Sequence, residues 1–198
     1  MTLDQDIAFF TFAVVAAITP GPSNVMITAT GSAVGLLHGL PCALGAAVGM
    51  ASLLFCVALG LGKIVVALPV LLKIMNLFGA GFLLWLAWKV ATAGPVSRSN
   101  ATAAVGFVGA ALFQWANPKG WLVAVSAAGT YLQASESNQL LQAATFGGLF
   151  FAAALPCGLT WLAFGALLQT ALRDERKARI FNIVMGLALA MSILMIFR

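Results

Sequence analysis

The sequence has few charged side chains. Its 198 residues include 10 Lys or Arg, five Asp or Glu and one His, while 62% of the residues are apolar. A water-soluble domain keeps roughly a quarter of its residues charged, because its surface must face water. The 8% found here cannot cover such a surface. This shortage excludes an ordinary soluble domain and predicts an all-α integral membrane protein whose partner is the lipid bilayer.

Residue patterns that would indicate metal, thiol or nucleic-acid chemistry are also missing. The three cysteines, Cys42, Cys56 and Cys157, form no C-x-x-C pair, and no His/Cys cluster has metal-ligand spacing. Nothing around Ser32 resembles the G-x-S-x-G motif of a serine hydrolase. The basic residues form no patch with interleaved aromatics, so nucleic acid is not an expected partner. We therefore expect no metal, no cofactor and no enzymatic activity.

Apolar runs long enough to cross a bilayer are the main feature that is present. A crossing helix needs about 20 apolar residues. Six stretches qualify, and the acidic start MTLDQD favours a retained first span over a cleaved signal peptide. They are residues 7–30, 40–62, 72–91, 104–132, 143–169 and 180–197, with a short apolar connection at 63–71.

The distribution of Lys and Arg predicts the orientation, because cytoplasmic loops are enriched in these residues. One side of the membrane collects Lys89, Arg98, Arg173, Arg176, Lys177 and Arg179. The other collects Lys63, Lys73 and Arg198, together with Asp4, Asp6 and Glu136. The first side is predicted to be cytoplasmic, which places both termini outside.

The chain reads as one transmembrane domain, 1–198, made of two halves of three spans each. A polar stretch at 92–103 separates a first half of about 1–95 from a second of about 100–198. Because three is odd, the second half enters the membrane from the opposite side. This predicts a three-plus-three inverted repeat.

Prolines interrupt the first span of each half. Thr19-Pro20 and Pro22 lie within span 1, and Asn117-Pro118 lies within span 4. Proline cannot bond the preceding turn, so the carbonyls of Ala16, Ile18 and Gln114 are freed. Such unpaired backbone is tolerated in a membrane where it is buried in protein or lines a cavity. Entering from opposite faces, the two breaks are predicted to meet near the midplane.

Both breaks fit a restarting helix. Thr and Asn are good N-cap residues, and proline is favoured at the first helical position. The restarts predicted at Pro20 and Pro118 would direct free N–H groups and a partial positive charge at the midplane. That arrangement favours an anionic group, such as an amino-acid carboxylate. The alternative is a simple kink whose freed groups are bonded by neighbouring helices.

Lys119 is the charged residue well inside a predicted span, and intramembrane ionisable residues are functional candidates by default. No Asp or Glu lies at its depth. It must therefore bond backbone carbonyls, water or an anion, or lose its proton, unless it snorkels to an interface. Ser23, Asn24 and Gln114 adjoin the breaks and are the other polar candidates for the same site.

Three segments resemble a known family: ITPGPSNV at 18–25, GAGFLLWLAWKV at 79–90 and ANPKGW at 116–121. The chain resembles the lysine exporter (LysE/RhtB) family of bacterial amino-acid efflux proteins along essentially its whole length. Residues 79–90 are most similar to the cysteine/O-acetylserine exporter branch. The resemblance implies a six-span exporter of amino acids in the bacterial cytoplasmic (inner) membrane, driven by the proton motive force. It also implies a transport site containing Pro20, Gly21, Pro22, Asn117, Pro118 and Lys119.

The sequence departs from lysine-exporting members in its second span, where residues 45–60 carry no acid. A cationic substrate would need such a counter-charge, so the expected substrate is a neutral zwitterion such as cysteine, O-acetylserine, threonine, homoserine or leucine. The same absence leaves the proton carrier unidentified. His38, the only histidine, is a candidate by residue type, but its position in the predicted loop between the first two spans favours a surface role. An ion or metal exporter or channel of similar architecture is the alternative. The glycine pairs at 45/49 and 79/81 allow packing within one chain or in a homo-oligomer.

Overall fold

The computed structural model describes residues 2–62, 67, 69–92, 104–132, 138–168 and 174–192. The described residues form seven α-helices and no strand, which confirms the all-α prediction. The helices are α1 (Leu3–Ile18), α2 (Pro22–Cys56), α3 (Pro69–Ala91), α4 (Phe107–Ala116), α5 (Pro118–Tyr131), α6 (Gln139–Leu168) and α7 (Glu175–Ser192). A π-helical segment, Val57–Leu61, continues α2.

Helix α2 reverses direction at Gly35. This residue has φ 79° and ψ 178°, a conformation open essentially to glycine alone. Two residues that lie equally far from Gly35 along the chain, one before it and one after it, contact the same part of α6. A side chain at Gly31 or at Gly39 would touch Leu162, and one at Gly158 would touch both Ile27 and Ala43. The first arm of α2, residues 22–34, and the second arm, residues 36–56, therefore form a tight helical hairpin against α6.

The reversal leads to a stability prediction at Gly35. Replacing Gly35 with alanine should destabilise the protein by about 1–3 kcal/mol, because the backbone conformation there excludes a Cβ. Gly148→Ala is the matched control, since a Cβ there meets nothing within 4 Å. Thermal unfolding of the two variants in detergent measures the difference. Equal unfolding temperatures would show that the chain does not need the positive φ at this turn.

Helices α1 and α4 each pack against a helix of the other half of the chain. Along α1 and α6, the Phe9 and Phe146 rings stack with centroids 4.2 Å apart, and further along the Trp161 indole bonds the carbonyl of Ile18. The two helices therefore run parallel. Helix α4 likewise runs parallel to the second arm of α2, since Phe107 lies at Gly45 and Ala111 at Gly49.

Small residues allow these helices to approach closely. A Cβ at Gly45 or Gly49 would overlap the backbone of α4, and a Cβ at Gly165 would overlap the backbone of Thr28. The glycine pair at 45/49 is therefore used within the chain. Gly81 on α3, in contrast, faces open space. Helices α3 and α7 pack together where Gly186 meets the backbone of Ala87.

The outer surface of the bundle is apolar. All seven helices expose large apolar side chains, whereas soluble proteins rarely expose large contiguous apolar patches. Examples are Val15, Leu37, Leu77, Leu112, Leu122, Leu167 and Met191, each at least 58% exposed. By length and composition, two described helical segments could cross a membrane, Pro22–Leu61 and Gln139–Leu168, and Phe107–Ala116 is a shorter apolar helix.

Two details of the predicted organisation are wrong. His38 was placed in a loop, but the chain is helical on both sides of Gly35 and His38 is exposed on the second arm of α2. The reason is the single-residue reversal, which needs no loop. Helix α2 also restarts at Pro22 rather than at Pro20. The basic residues Lys63, Arg98, Arg173 and Arg198, and most of the connections at 63–71 and 92–103, lie outside the described residues.

Candidate functional site: a cavity between two helix breaks

The first break consists of Thr19, Pro20 and Gly21, between α1 and α2. Thr19 is extended, at φ −61° and ψ 127°, as expected for a residue before proline. Its hydroxyl donates back to the Val15 carbonyl at 2.6 Å, so Thr19 ends α1 instead of capping the next helix. The cap of α2 is Gly21, which has no side chain to bond the first turn.

Side chains bond the carbonyls that this break exposes. The Asn24 Nδ2 atom donates to Ala17 O at 3.0 Å and to Thr19 O at 2.9 Å. The Trp161 indole N–H donates to Ile18 O at 3.2 Å. The exposed end of α1 is thereby held by one residue of α2 and one of α6, rather than left unpaired at membrane depth.

The second break is a single residue, Asn117, between α4 and α5. Its side-chain Oδ1 accepts from the Lys119 N–H at 3.1 Å, and Pro118 is the first residue of α5, so the predicted cap and restart are confirmed here. The Gln114 carbonyl, expected to be free, accepts from the Asn117 N–H at 3.2 Å. The Trp121 indole donates to the Trp115 carbonyl at 2.7 Å.

The two breaks lie against each other, as predicted. The Lys119 ammonium, from the second break, donates to the Thr19 carbonyl of the first at 2.8 Å. The Ser23 hydroxyl donates to Gln114 Oε1 at 2.8 Å and accepts from Asn117 Nδ2 at 3.0 Å. Lys119 therefore bonds a backbone carbonyl, one of the outcomes that the sequence allowed. Its stem lies so close to Gly21 that a Cβ there would approach Lys119 Cδ and Nζ to 3.0 Å.

A cavity of about 70 Å³ lies between the breaks. One ordered water needs about 10–15 Å³ on this measure, so the space suits several waters or one small solute. The lining comes from α1, both arms of α2, α4, α5 and α6. It comprises Ala16, Ala17, Gly21, Ser23, Asn24, Ile27, Ala43, Ala46, Ala47, Met50, Gln114, Asn117, Lys119, Gly120, Val123, Phe150, Ala154 and Gly158.

The cavity has one polar end and one apolar wall. Lys119 is the charged residue in the lining, and the first turns of α2 and α5 both border the same end. Free N–H groups at helix N-termini carry a partial positive charge, so this end favours an anion. The apolar wall includes Ala43, Ala47 and Met50 from the second arm of α2. Within the described residues, no group of three or more His, Cys, Asp or Glu could hold a metal.

The structure brings six of the ten predicted site residues to the cavity: Gly21, Ser23, Asn24, Gln114, Asn117 and Lys119. Thr19 contributes through its carbonyl, although its side chain is exposed. Pro22 and Pro118 begin α2 and α5. Pro20 is exposed and does not line the cavity.

The apolar wall and the two indole donors were not predicted. Alanines and Met50 in the second arm of α2 have no sequence mark that separates cavity lining from ordinary helix packing. Trp161 and Trp121 bond the ends of α1 and α4 instead of lining the cavity.

Comparison with known proteins places the chain in a family. A family model described as LysE type translocator matches residues 14–195. The chain belongs to the LysE family. It is similar to the cysteine/O-acetylserine efflux protein of Salmonella choleraesuis, with 28% identity over 193 residues and 96% of both chains covered. The protein of the same name from Escherichia coli O1:K1 is 27% identical over 200 residues, again covering 96% of both.

A further relative with this name, from Klebsiella pneumoniae, is 30% identical over 126 residues, 63% of this chain and 64% of the relative. No solved structure gives a significant match. Membership of the LysE family makes the chain a translocator of the inner membrane and not an enzyme. It also accounts for the apolar outer surface, which faces lipid.

Proposed function

We propose that this LysE-family chain exports neutral amino acids or close derivatives across the cytoplasmic membrane, and that it binds them in the cavity between the two breaks. The candidates are cysteine or O-acetylserine, threonine or homoserine, and leucine. One observation carries the proposal. Among the described residues, the lining combines the Lys119 ammonium and two helix N-termini with an apolar wall, and it contains no carboxylate.

That combination fits a neutral zwitterion better than a cation. The substrate carboxylate would be received by Lys119 and the first turns of α2 and α5, where negative charge is stabilised. A lysine side chain would bring a second ammonium group next to Lys119 without a counter-charge in the lining. A small uncharged side chain would contact Ala43, Ala47 and Met50. The names of the similar efflux proteins support the same class of substrate.

The packing of the helices supports six spans arranged as an inverted repeat. In this arrangement α1 and the first arm of α2 form span 1, and α4 and α5 form span 4. Each of these spans is broken just before a proline that starts its second helix. The first helix of each runs parallel to the second span of the other half: α1 along α6, and α4 along the second arm of α2. That arm and α6 are antiparallel. A two-fold axis in the membrane plane generates this exchanged arrangement.

Orientation, coupling and assembly are proposals of the same kind. The basic residues favour termini outside the cytoplasm. Export against a gradient requires an energy source, and protons are the proposed coupling ion. A homo-oligomer stays a prediction, with the open face of α3 around Gly81 as the surface that would allow it.

Efflux from preloaded proteoliposomes with an imposed pH gradient tests the proposed function. The panel consists of cysteine kept reduced, O-acetylserine, threonine, homoserine and leucine, beside lysine. We expect gradient-driven movement of at least one neutral amino acid and none of lysine. Collapse of the gradient with an uncoupler should stop transport if protons drive it.

Each other outcome has a defined meaning. Movement of lysine alone would contradict the charge argument. Absence of amino-acid movement, in protein shown to be folded, would favour the ion or metal exporter or channel. Those alternatives would be measured in the same vesicles with ion-sensitive dyes.

A further inference from the structure

We propose that the Asn24 side-chain oxygen binds the α-ammonium group of the transported amino acid, beside the Lys119 site for its carboxylate. The inference rests on the proposed function and adds a residue with a separate role. Asn24 lines the polar end of the cavity and is 7% exposed. Its amide presents a hydrogen-bond acceptor at a place where the other nearby groups favour anions.

The hydrogen bonds of Asn24 fix the direction of its amide. Both groups that it contacts are carbonyl oxygens, Ala17 O at 3.0 Å and Thr19 O at 2.9 Å. Carbonyls only accept, so the nitrogen of the amide must point at them. The Oδ1 atom therefore points away from the end of α1. No donor from the described residues bonds it.

The oxygen is also accessible from the cavity. Among the described residues, two polar side-chain atoms are fully buried and have no hydrogen-bond partner: Asp6 Oδ1 and Gln142 Nε2. Asn24 Oδ1 is not one of them. Since the residue as a whole is buried and lines the cavity, the accessible part of its oxygen faces that space. A buried acceptor without a partner costs free energy that a bound ammonium group would recover.

Neighbouring polar groups are already used. Gln114 Oε1 accepts from Ser23, Ser23 Oγ accepts from Asn117, and Asn117 Oδ1 accepts from the Lys119 backbone. Among the described side-chain oxygens of this cluster, Asn24 Oδ1 is the one without a hydrogen-bond partner.

The carbonyl of Thr19 places the acceptor and the cation side by side. The Asn24 Nδ2 and the Lys119 Nζ atoms both donate to this one oxygen, at 2.9 and 2.8 Å. The two nitrogen atoms are therefore separated by less than two hydrogen-bond lengths. The remaining N–H groups of Lys119 and the oxygen of Asn24 therefore belong to two adjacent side chains at the end of α1. An α-amino acid carries its carboxylate and ammonium on one carbon, which matches this pair.

Substrate analogues test the inference without changing the protein. L-Cysteine is compared with 3-mercaptopropionate, which lacks the ammonium group, and with cysteamine, which lacks the carboxylate. Leucine, 4-methylpentanoate and 3-methylbutylamine form a second set. Each compound competes against a transported amino acid in proteoliposomes. We expect both single-charge analogues of a set to bind roughly 10- to 100-fold more weakly than the parent, since each lacks a charge-assisted hydrogen bond.

A variant then assigns the ammonium site to Asn24. Asn24→Leu should weaken binding of the parent amino acid roughly 10- to 100-fold, yet leave the deaminated acid almost unaffected. The control is Trp161→Phe, which removes another bond to the exposed end of α1 without touching the cavity. Trp161→Phe should lower the affinities for the parent amino acid and for the deaminated acid to the same extent, or change neither affinity. A structural role for Asn24 predicts the same parallel behaviour.

The outcomes separate the inference from the function on which it rests. If wild-type protein binds cysteine or leucine but binds the deaminated acid equally well, the ammonium site is wrong and the export function stands. An equal loss for both probes in Asn24→Leu leads to the same conclusion. If no amino acid of the panel is transported, the proposed function and the inference fall together. Should Asn24→Leu fail to fold, the analogue comparison in wild-type protein still decides.

Discussion

Replacing Lys119 with alanine should lower export by about 100-fold or more, while the protein still inserts and folds. The ammonium joins the two breaks through Thr19 O at 2.8 Å and provides the charge at the polar end of the cavity. Its removal takes away the charge-assisted bond to the substrate carboxylate, and such bonds are among the stronger ones in proteins. Initial efflux rates in proteoliposomes, normalised to inserted protein, measure the effect.

Lys89 provides the matched control. It lies in the last turn of α3, is exposed, and places its ammonium 4.8 Å from the centre of the Trp85 ring. Lys89→Ala removes the same charge outside the cavity and should transport at close to the wild-type rate. Lys119→Met, which keeps most of the stem, should be as inactive as Lys119→Ala. Wild-type export by either Lys119 variant would show that the substrate does not need this cation.

The double variant Gly45→Ala, Gly49→Ala should lose much of its folded population in detergent. At both positions a Cβ would overlap backbone atoms of α4, at Phe107 and Ala111, and backbone cannot rotate away as a side chain does. Overpacking of this kind costs about 1–3 kcal/mol at each site. Since α4 carries Gln114 and the second break, the separation of these helices should also open the polar network. Thermal unfolding followed by size-exclusion chromatography is the measurement.

Gly81→Ala is the comparison for this variant. A Cβ at Gly81 meets nothing within 4 Å, and alanine is the better residue within a helix. Its unfolding temperature should equal or slightly exceed that of the wild type. If the Gly45/Gly49 variant unfolds at the same temperature as Gly81→Ala, then α4 does not pack on α2 as closely as the structure describes.

The two breaks were predictable because proline has a single local effect. It removes an N–H group, and Asn117 before Pro118 gives the helix start that capping rules require. The rules gave the wrong restart in the first break, where two prolines compete. There the Thr19 hydroxyl bonds Val15 O and ends α1, Gly21 takes the cap position, and α2 begins at Pro22. Local capping rules allow either proline to begin the helix, so the pattern does not choose between them.

The apolar side of the site was not predictable for a related reason. Ala43, Ala47 and Met50 line the cavity, whereas Gly45 and Gly49, on the same stretch of α2, pack against α4. In a span where every residue is apolar or small, the sequence has no amphipathic pattern that separates the two faces. The reversal at Gly35 was not predictable either, because the sequence contains many glycines and no pattern shows which of them has a positive φ.

The hairpin at Gly35 also limits how the cavity can open alternately to the two sides of the membrane. Its two arms contact the same parts of α6 and are joined at Gly35. Neither arm can therefore slide along α6 without moving the other. The wall that both arms and α6 provide therefore acts as a fixed frame. Helices α1 and α5 meet the cavity through their ends, at Thr19 and Lys119, and a small tilt of either helix moves those ends most. We therefore expect alternation of access to involve the helices that adjoin the breaks, with the α2 hairpin as their stationary reference.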